Sequence, residues 1–465
     1  MHAEYDFSED TKGSLLVHLV YQGDKKLFSE IPNSFTGKKF DSIFLPDKKA
    51  FVISLGERDK IQLEYYRRAA ARACKAASFY KIPEVHFSVQ GLSAEHCVAL
   101  LEGGYLANYS FDKYKQEAER PMRVKKFTFP PYAKKFSEFI HAAAVACRNV
   151  FIVRDLVSDN SDVVTPEFLE RVAKGISRKA RLKIDVLHER ELKKLGMNLI
   201  LNVGKAGSAA PRLIAIEYHG NPSSKEKVLF VGKGVCFDTG GLNIKTGDYM
   251  LGMRMDMAGA ATVLGIMKTA AELKLKKNIV GIMVCVENLV DTSAYRPGDI
   301  IKSYSGKTVE NLNTDAEGRL ILADALAYGA KKYTPKVIVE FSTLTGAIVR
   351  ALGEHAAGMM STSKEFGEKM FDAGQTTYER VWEMPMWEEY LDEVTGERSD
   401  FRSLGKSGNN GAIFGGAFLS KFTDPVPFIH LDVAGTAMIC EPKDYMPKDG
   451  TGFGLRLAIE FLKRI

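Results

Sequence analysis

The chain has 465 residues, roughly two or three domains' worth. Its 45% hydrophobic and 26% charged content excludes both a small disulfide scaffold and wholesale disorder. The net charge of +6 sits almost entirely in residues 1–150, which carry 23 Lys and Arg against 18 Asp and Glu. Uninterrupted apolar runs, of which Ile282–Val286 is typical, fall far short of the ~20 residues that cross a bilayer, so no membrane association is expected.

Met1–Asp10 is acidic and polar, without the basic and apolar regions of a secretory signal, which leaves a cytoplasmic location as the expectation. Short apolar runs at Leu15–Val20, Ser42–Leu45 and Ala50–Leu55 accompany an Ala- and Arg-rich helical stretch, Ile61–Ser78, and predict a small α/β unit. Lys113–Lys135 holds eight basic residues against Glu117 and Glu119, with aromatics between them. It reads as a solvated face and a lysine-protected strand edge. A nucleic-acid patch is the alternative, although a surplus of +5 over 150 residues is small for that task.

Pro121, Pro130 and Pro131 punctuate this segment, Ala133–Arg154 reads as one long helix, and the polar stretch Ser158–Thr165 follows. The boundary is placed there. Residues 1–158 form an N-terminal α/β domain with a linking helix near 133–154, and residues 159–465 form a second domain. Within the latter, Arg212–Tyr218, Val228–Val231, Ile279–Val286, Val337–Phe341 and Phe428–Val433 are mostly apolar runs, as buried strands of a parallel sheet are. Helical patterns at Ala258–Leu275, Leu320–Lys332 and Asn410–Phe422 alternate with them. The expected fold is a two-domain α/β protein whose larger C-terminal domain has a mostly parallel central sheet with helices on both faces. Ligands of such sheets bind beyond the carboxyl ends of the strands.

The nine histidines form no HxH or HExxH spacing, and no GxSxG, P-loop or GxGxxG motif is present. Six cysteines without a CxxC pair read as reduced core residues. Carboxylates and lysines remain as the candidate chemistry. The segment Gly232–Lys245, read as a loop after the strand Val228–Val231, offers Lys233, Asp238 and Lys245 among glycines. Asp256 precedes a helix, where N-capping is the plain explanation. Asn313–Leu320 bunches Asp315, Glu317 and Arg319 in one turn, although Thr314 with Glu317 also fits a capping box. Four acids converging in one crevice suit a pair of divalent ions sharing bridging carboxylates. Lys233 can join them only as the neutral amine.

The string NTDAEGRL at 313–320 resembles the signature of the leucyl aminopeptidase family, the cytosolic two-metal aminopeptidases. VGKGVCFDTGGLNIK (231–245), MRMDMAGAA (253–261), STLTGA (342–347) and HLDVAGTA (430–437) follow the family's order, and GGYLANYSFDKYK (103–115) resembles its amino-terminal domain.

The resemblance implies a catalytic metallopeptidase domain over 159–465 that releases leucine-like residues from the amino termini of short peptides. It implies two metal ions held by Lys233, Asp238, Asp256, Asp315 and Glu317, with Lys245 as electrophile and Arg319 holding a bicarbonate that serves as general base. Met253, Thr343, Gly346 and Ala434 match positions lining the pocket for the first side chain. A homohexamer with active sites facing its interior is implied as well. Carboxylate ligands suit Mg or Mn, and a lysine nitrogen is compatible with Zn or Co.

Overall fold

A computed structural model describes residues 3–23, 31–32, 34–88 and 91–465. The chain divides into two compact units, Met1–Phe151 with Cys440–Lys448, and Ile152–Ile439 with Asp449–Ile465. The division falls within the helix Ser137–Ser158, which follows a 3-10 turn at Pro131–Phe136. The long helix expected at 133–154 thus starts later, because the Pro130–Pro131 pair sets up a tighter turn first. By length and composition Pro131–Ser158 could span a bilayer, unlike any stretch expected from the sequence, but half of it is buried in protein, as a core helix is.

In the first unit six strands pair in the order β1-β6-β5-β2-β4-β3: β1 (Glu4–Phe7), β2 (Leu15–Val20), β3 (Ser42–Leu45), β4 (Ala50–Ser54), β5 (Glu84–Phe87) and β6 (Lys126–Phe129). Every pairing is parallel except β3 with β4. The helices Leu63–Phe79 and Ala94–Ala107 pack so closely that a Cβ on Gly103 would stand 2.0 Å from the Arg67 carbonyl oxygen. The lysine-protected edge expected in the basic segment is corrected here. β6 is hydrogen-bonded to β1 on one side and β5 on the other, so it is an interior strand, driven inward by the buried Phe127 and Phe129. Part of the segment's charge is spent in ion pairs of Lys126 with Asp6 (2.9 Å) and Arg123 with Asp112 (2.7 Å).

In the second unit the strands are β7 (Lys183–Leu187), β8 (Arg212–His219), β9 (Lys227–Asp238), β10 (Asn278–Asn288), β11 (Ile300–Lys302), β12 (Thr308–Glu310), β13 (Val337–Ser342), β14 (Ala357–Ser361), β15 (Val381–Glu383), β16 (Phe401–Arg402) and β17 (Phe428–Asp432), besides a two-residue pair, Met438–Ile439 with Asp449–Gly450. Eight of them form one sheet in the order β15-β14-β17-β13-β9-β10-β8-β7, and β11, β12 and β16 form a small separate sheet. The centre of the large sheet, β17-β13-β9-β10, is parallel. β14 and β8 flank it antiparallel.

The alternation of side chains along β9 puts helices on both faces. A Cβ on Gly232 would meet Gly259 of the helix Ala258–Glu272 at 2.4 Å, so only glycine admits that helix so near the strand. Residues of opposite parity, Leu229 and Lys233, meet Gly329 and Gly318 of the helix Glu317–Tyr333 on the other face. β9 also runs on to Asp238, well beyond the expected Val231: past Gly232 it leaves β13 but stays paired with β10, while Gly232 admits the helix that crosses it. Lys233 therefore lies on a strand, not on a loop.

Candidate active site

Beyond the carboxyl ends of β9, β13 and β17 a pocket encloses about 560 Å³. Its floor gathers residues far apart in sequence. Lys233 points from β9 toward the helix Glu317–Tyr333, and a Cβ at Gly318 would be 2.8 Å from the lysine Nζ, so glycine in the motif makes room for the lysine. Lys233 Nζ lies 2.8 Å from Asp256 Oδ1 and 2.8 Å from Glu317 Oε1, and donates to the Thr343 carbonyl oxygen at 3.0 Å. Lys245 Nζ bridges Asp238 Oδ2 at 2.8 Å and Asp315 Oδ1 at 2.5 Å. Ligand atoms from Asp238, Asp315 and Glu317 all lie within 4.8 Å of one another.

The capping explanations fail locally. The helix Ala258–Glu272 starts at Met257 without a side-chain cap, and Asp256 instead accepts from Thr343 Oγ1 at 2.6 Å. Thr314 donates its hydroxyl to the Gly240 carbonyl oxygen at 2.6 Å, while Asn313 accepts from the Asp315 N–H at 2.8 Å. Thr314 thus ties one loop to another, while Asn313 and not Thr314 caps the 3-10 turn Thr314–Ala316 that leads into the helix.

Four carboxylates face two ammonium groups here, which leaves the cluster short of positive charge. Burial pushes the Glu317 carboxyl up to about 8, with Asp238 adding to the effect, and burial pushes Asp256 up to about 6 against the pull of Lys233. Burial and Asp238 raise Asp315 as well. Burial would lower Lys233, yet the carboxylates of Asp256, Glu317 and Asp238 outweigh it and hold the ammonium above its ordinary range. Asp256 Oδ2 is buried without a hydrogen-bond partner. An orphaned carboxylate oxygen among four carboxylates with surplus negative charge fits hard divalent cations.

Met253, Thr343, Gly346 and Ala434 line the pocket together with Lys245 and the five floor residues. Arg319 does not line it. It is buried, donates from Nη1 to the Ser403 carbonyl oxygen at 2.8 Å, and has its guanidinium 5.5 Å from the centre of the Phe414 ring. Its Nε has no partner, and burial lowers its pKa to about 10.

Asn288 was not singled out from the sequence. A register shift just before it, at the end of β10, sets it opposite Asp238. Its Nδ2 donates to Asp238 Oδ1 at 2.7 Å and to the Thr314 carbonyl oxygen at 3.0 Å, which Tyr295 also reaches through its hydroxyl at 2.7 Å. An amide following Glu287 at the end of a strand with a long apolar middle was the available signal. The cysteine expectation holds for Cys74, Cys97, Cys147, Cys236 and Cys285, all free and buried, but Cys440 is exposed.

Residues 151–459 match the model of the cytosol aminopeptidase family's catalytic domain, and residues 33–118 match that of its N-terminal domain. A protein of Protochlamydia amoebophila named "Probable cytosol aminopeptidase" is 38% identical over 93% of this chain and 89% of its own length. One of that name from Aquifex aeolicus is 35% identical over 98% and 96%, and one from Chelativorans is 42% identical over 84% and 79%. The solved structure of the bottromycin maturation enzyme BotP in complex with Mn superposes with a TM-score of 0.87 at 24% identity, covering 97% of this chain and 99% of that one, which shows the shared fold. With both domain models matched and such relatives aligned over most of its length, the chain belongs to the cytosol aminopeptidase family of metal-dependent aminopeptidases.

Proposed function

We propose that the protein removes leucine-like residues from the amino termini of short peptides, with two divalent ions held by Lys233, Asp238, Asp256, Asp315 and Glu317. The observation that carries this reading is the floor of the pocket, where four acids converge with only two ammonium groups to balance them. Divalent ions bound there would polarise the scissile carbonyl and acidify a water.

The chain's own residues do the rest. Lys233 would ligate as an amine, so loading the site would be coupled to loss of a proton from Nζ, taken against the three carboxylates that favour its charged form. Lys245, whose ammonium is held charged by Asp238 and Glu317 against the opposing effect of burial, donates to the oxygen on which negative charge develops. By the family resemblance Arg319 would hold a bicarbonate as general base; its unpartnered Nε is free for an anion, although the guanidinium lies behind the pocket's lining and not in it. Met253, Thr343, Gly346 and Ala434 receive the first side chain.

The ion is Zn, Mn, Mg or Co, the location cytoplasmic, and the assembly a homohexamer. Added nucleic-acid binding through Lys113–Lys135 is the alternative reading, and ion pairs with Asp6 and Asp112 reduce the charge available for it. The test is a panel of amino-acyl amides assayed after each of the four ions is added back to chelated protein. Turnover of leucyl amide restored by at least one ion is expected, and no cleavage of any amide with any ion overturns the reading.

A further inference from the structure

Asp432 is the last residue of β17 and is fully buried. Its Oδ1 accepts from the backbone N–H of Leu344 at 3.1 Å and of Ala434 at 3.2 Å, and its Oδ2 accepts from Thr345 Oγ1 at 2.6 Å. Thr345 Oγ1 in turn accepts from the Ile348 N–H at 3.2 Å and so caps the helix Gly346–Leu352. One carboxylate therefore staples two chain segments that leave neighbouring strands, β13 and β17. Both segments wall the pocket, since Thr343, Leu344, Thr345 and Gly346 line one side of it and Ala434 another.

The chemistry of the staple needs a carboxylate. Three donors converge on Asp432, and an ionised carboxylate is acceptor-only, whereas an asparagine would turn an NH2 toward one of them. A carboxylate without such partners is costly to bury, so the residue is explained by the donors it gathers. Behind it the same seam continues polar. In the β13–β17 register Ser342 stands opposite Asp432 and Glu340 opposite His430, and His430 Nδ1 lies 2.5 Å from Glu340 Oε2.

We propose that Asp432 is a positioning residue that sets the width of the pocket for the substrate's first side chain. It acts by fixing Leu344, Thr345 and Ala434, and the inference rests on the function proposed above. Thr343, next to Leu344, also touches the floor through its hydroxyl to Asp256 and its carbonyl to Lys233, but the bonds of Asp432 itself go to Leu344, Thr345 and Ala434 and not to the floor acids, so cutting the staple falls on the fit of a large side chain while kcat and metal content are kept.

The test measures kcat and KM for leucyl and alanyl amide, with metal content determined on the same samples, in wild type, Asp432→Asn, Thr345→Val and Thr345→Ser. In Asp432→Asn and Thr345→Val the expected result is a KM for leucyl amide raised roughly tenfold, a smaller change for alanyl amide, and kcat and metal content near wild type. Thr345→Ser keeps the hydroxyl and should keep the wild-type ratio between the two substrates. If Asp432→Asn fails to fold, the Val and Ser pair at 345 carries the test.

An unchanged leucyl-to-alanyl ratio in Thr345→Val, in a wild type that cleaves both, overturns the inference and leaves the functional reading standing. An equal fall of kcat for both substrates, or loss of metal, overturns it also, because Asp432 would then act on the floor. A wild type that cleaves neither amide overturns the functional reading and this inference with it.

Discussion

Lys233 Nζ lies 2.8 Å from Oε1 of Glu317, a strand residue paired with the first residue of a helix on the opposite side of a long stretch of sequence. Gly318, the next residue of that helix, leaves the space through which the lysine reaches it. The pair makes the two lysines of the site unequal, since Lys233 is embedded among Asp256, Glu317 and the Thr343 carbonyl while Lys245 closes the site over Asp238 and Asp315.

Lys233→Ala should weaken one metal site, with activity partly recovered at high metal concentration. Lys245→Ala should retain two ions per chain while kcat falls roughly a hundredfold or more, the scale for losing one donor to a developing oxyanion. Arg319→Ala should follow Lys245→Ala. Metal stoichiometry measured beside kcat decides the matter, and metal loss in Lys245→Ala but not in Lys233→Ala would reverse the assigned roles.

The wall formed by Met253, Thr343, Gly346 and Ala434 carries no charged side chain, and Arg350, which also lines the pocket, is exposed and donates to the Tyr249 hydroxyl at 3.3 Å. Leucyl and methionyl amides should therefore exceed aspartyl amide in kcat/KM by roughly a hundredfold, because an unpaired carboxylate is expensive to desolvate. Steady-state rates on the three amides check this, and faster turnover of aspartyl amide would contradict the pocket assignment.

Much of this site was legible because its residues come in dense local groups. Lys233, Asp238 and Lys245 stand in one glycine-rich segment after the apolar run Val228–Val231, and Asp315, Glu317 and Arg319 in one turn, although the short strand before that turn, Thr308–Glu310, carries no apolar run. The rest was hidden where function depends on long-range pairing. Asn288 ends the strand β10 and gains its role only when a register shift sets it opposite Asp238. Asp432 is one acid in a short block, and its three donors come from residues 344, 345 and 434. The interior position of β6 likewise depended on pairing with β1, which local composition does not encode.

Asp324 gives a pH-dependent prediction away from the site. It is fully buried and accepts from the N–H groups of Leu199 (2.9 Å), Ile200 (3.2 Å) and Tyr304 (2.7 Å). Burial outweighs these donors and pushes its carboxyl up to about 7 from 3.8. The native state then holds a proton that the unfolded chain has released, so this group's contribution to stability falls as pH rises from about 4 to about 7. Asparagine at 324 does not titrate. Between pH 5 and 7.5 the stability gap between wild type and Asp324→Asn should shift by about 2 to 3 kcal/mol in the variant's favour. Urea unfolding of both proteins at the two pH values tests it, and a constant gap would contradict it.

A hexamer with inward-facing sites should spare folded proteins and cleave short peptides. Light scattering under assay conditions should give six times the 51.5 kDa chain mass, and a fully active monomer would refute the assembly.

The central claim is that divalent ions on the five floor residues do the chemistry. Its most direct test is elemental analysis paired with leucyl amide turnover, before chelation, after chelation and after metal is returned. Two ions per chain, activity lost with them and regained on their return is the expected result, and full activity in protein verified to be metal-free would contradict it.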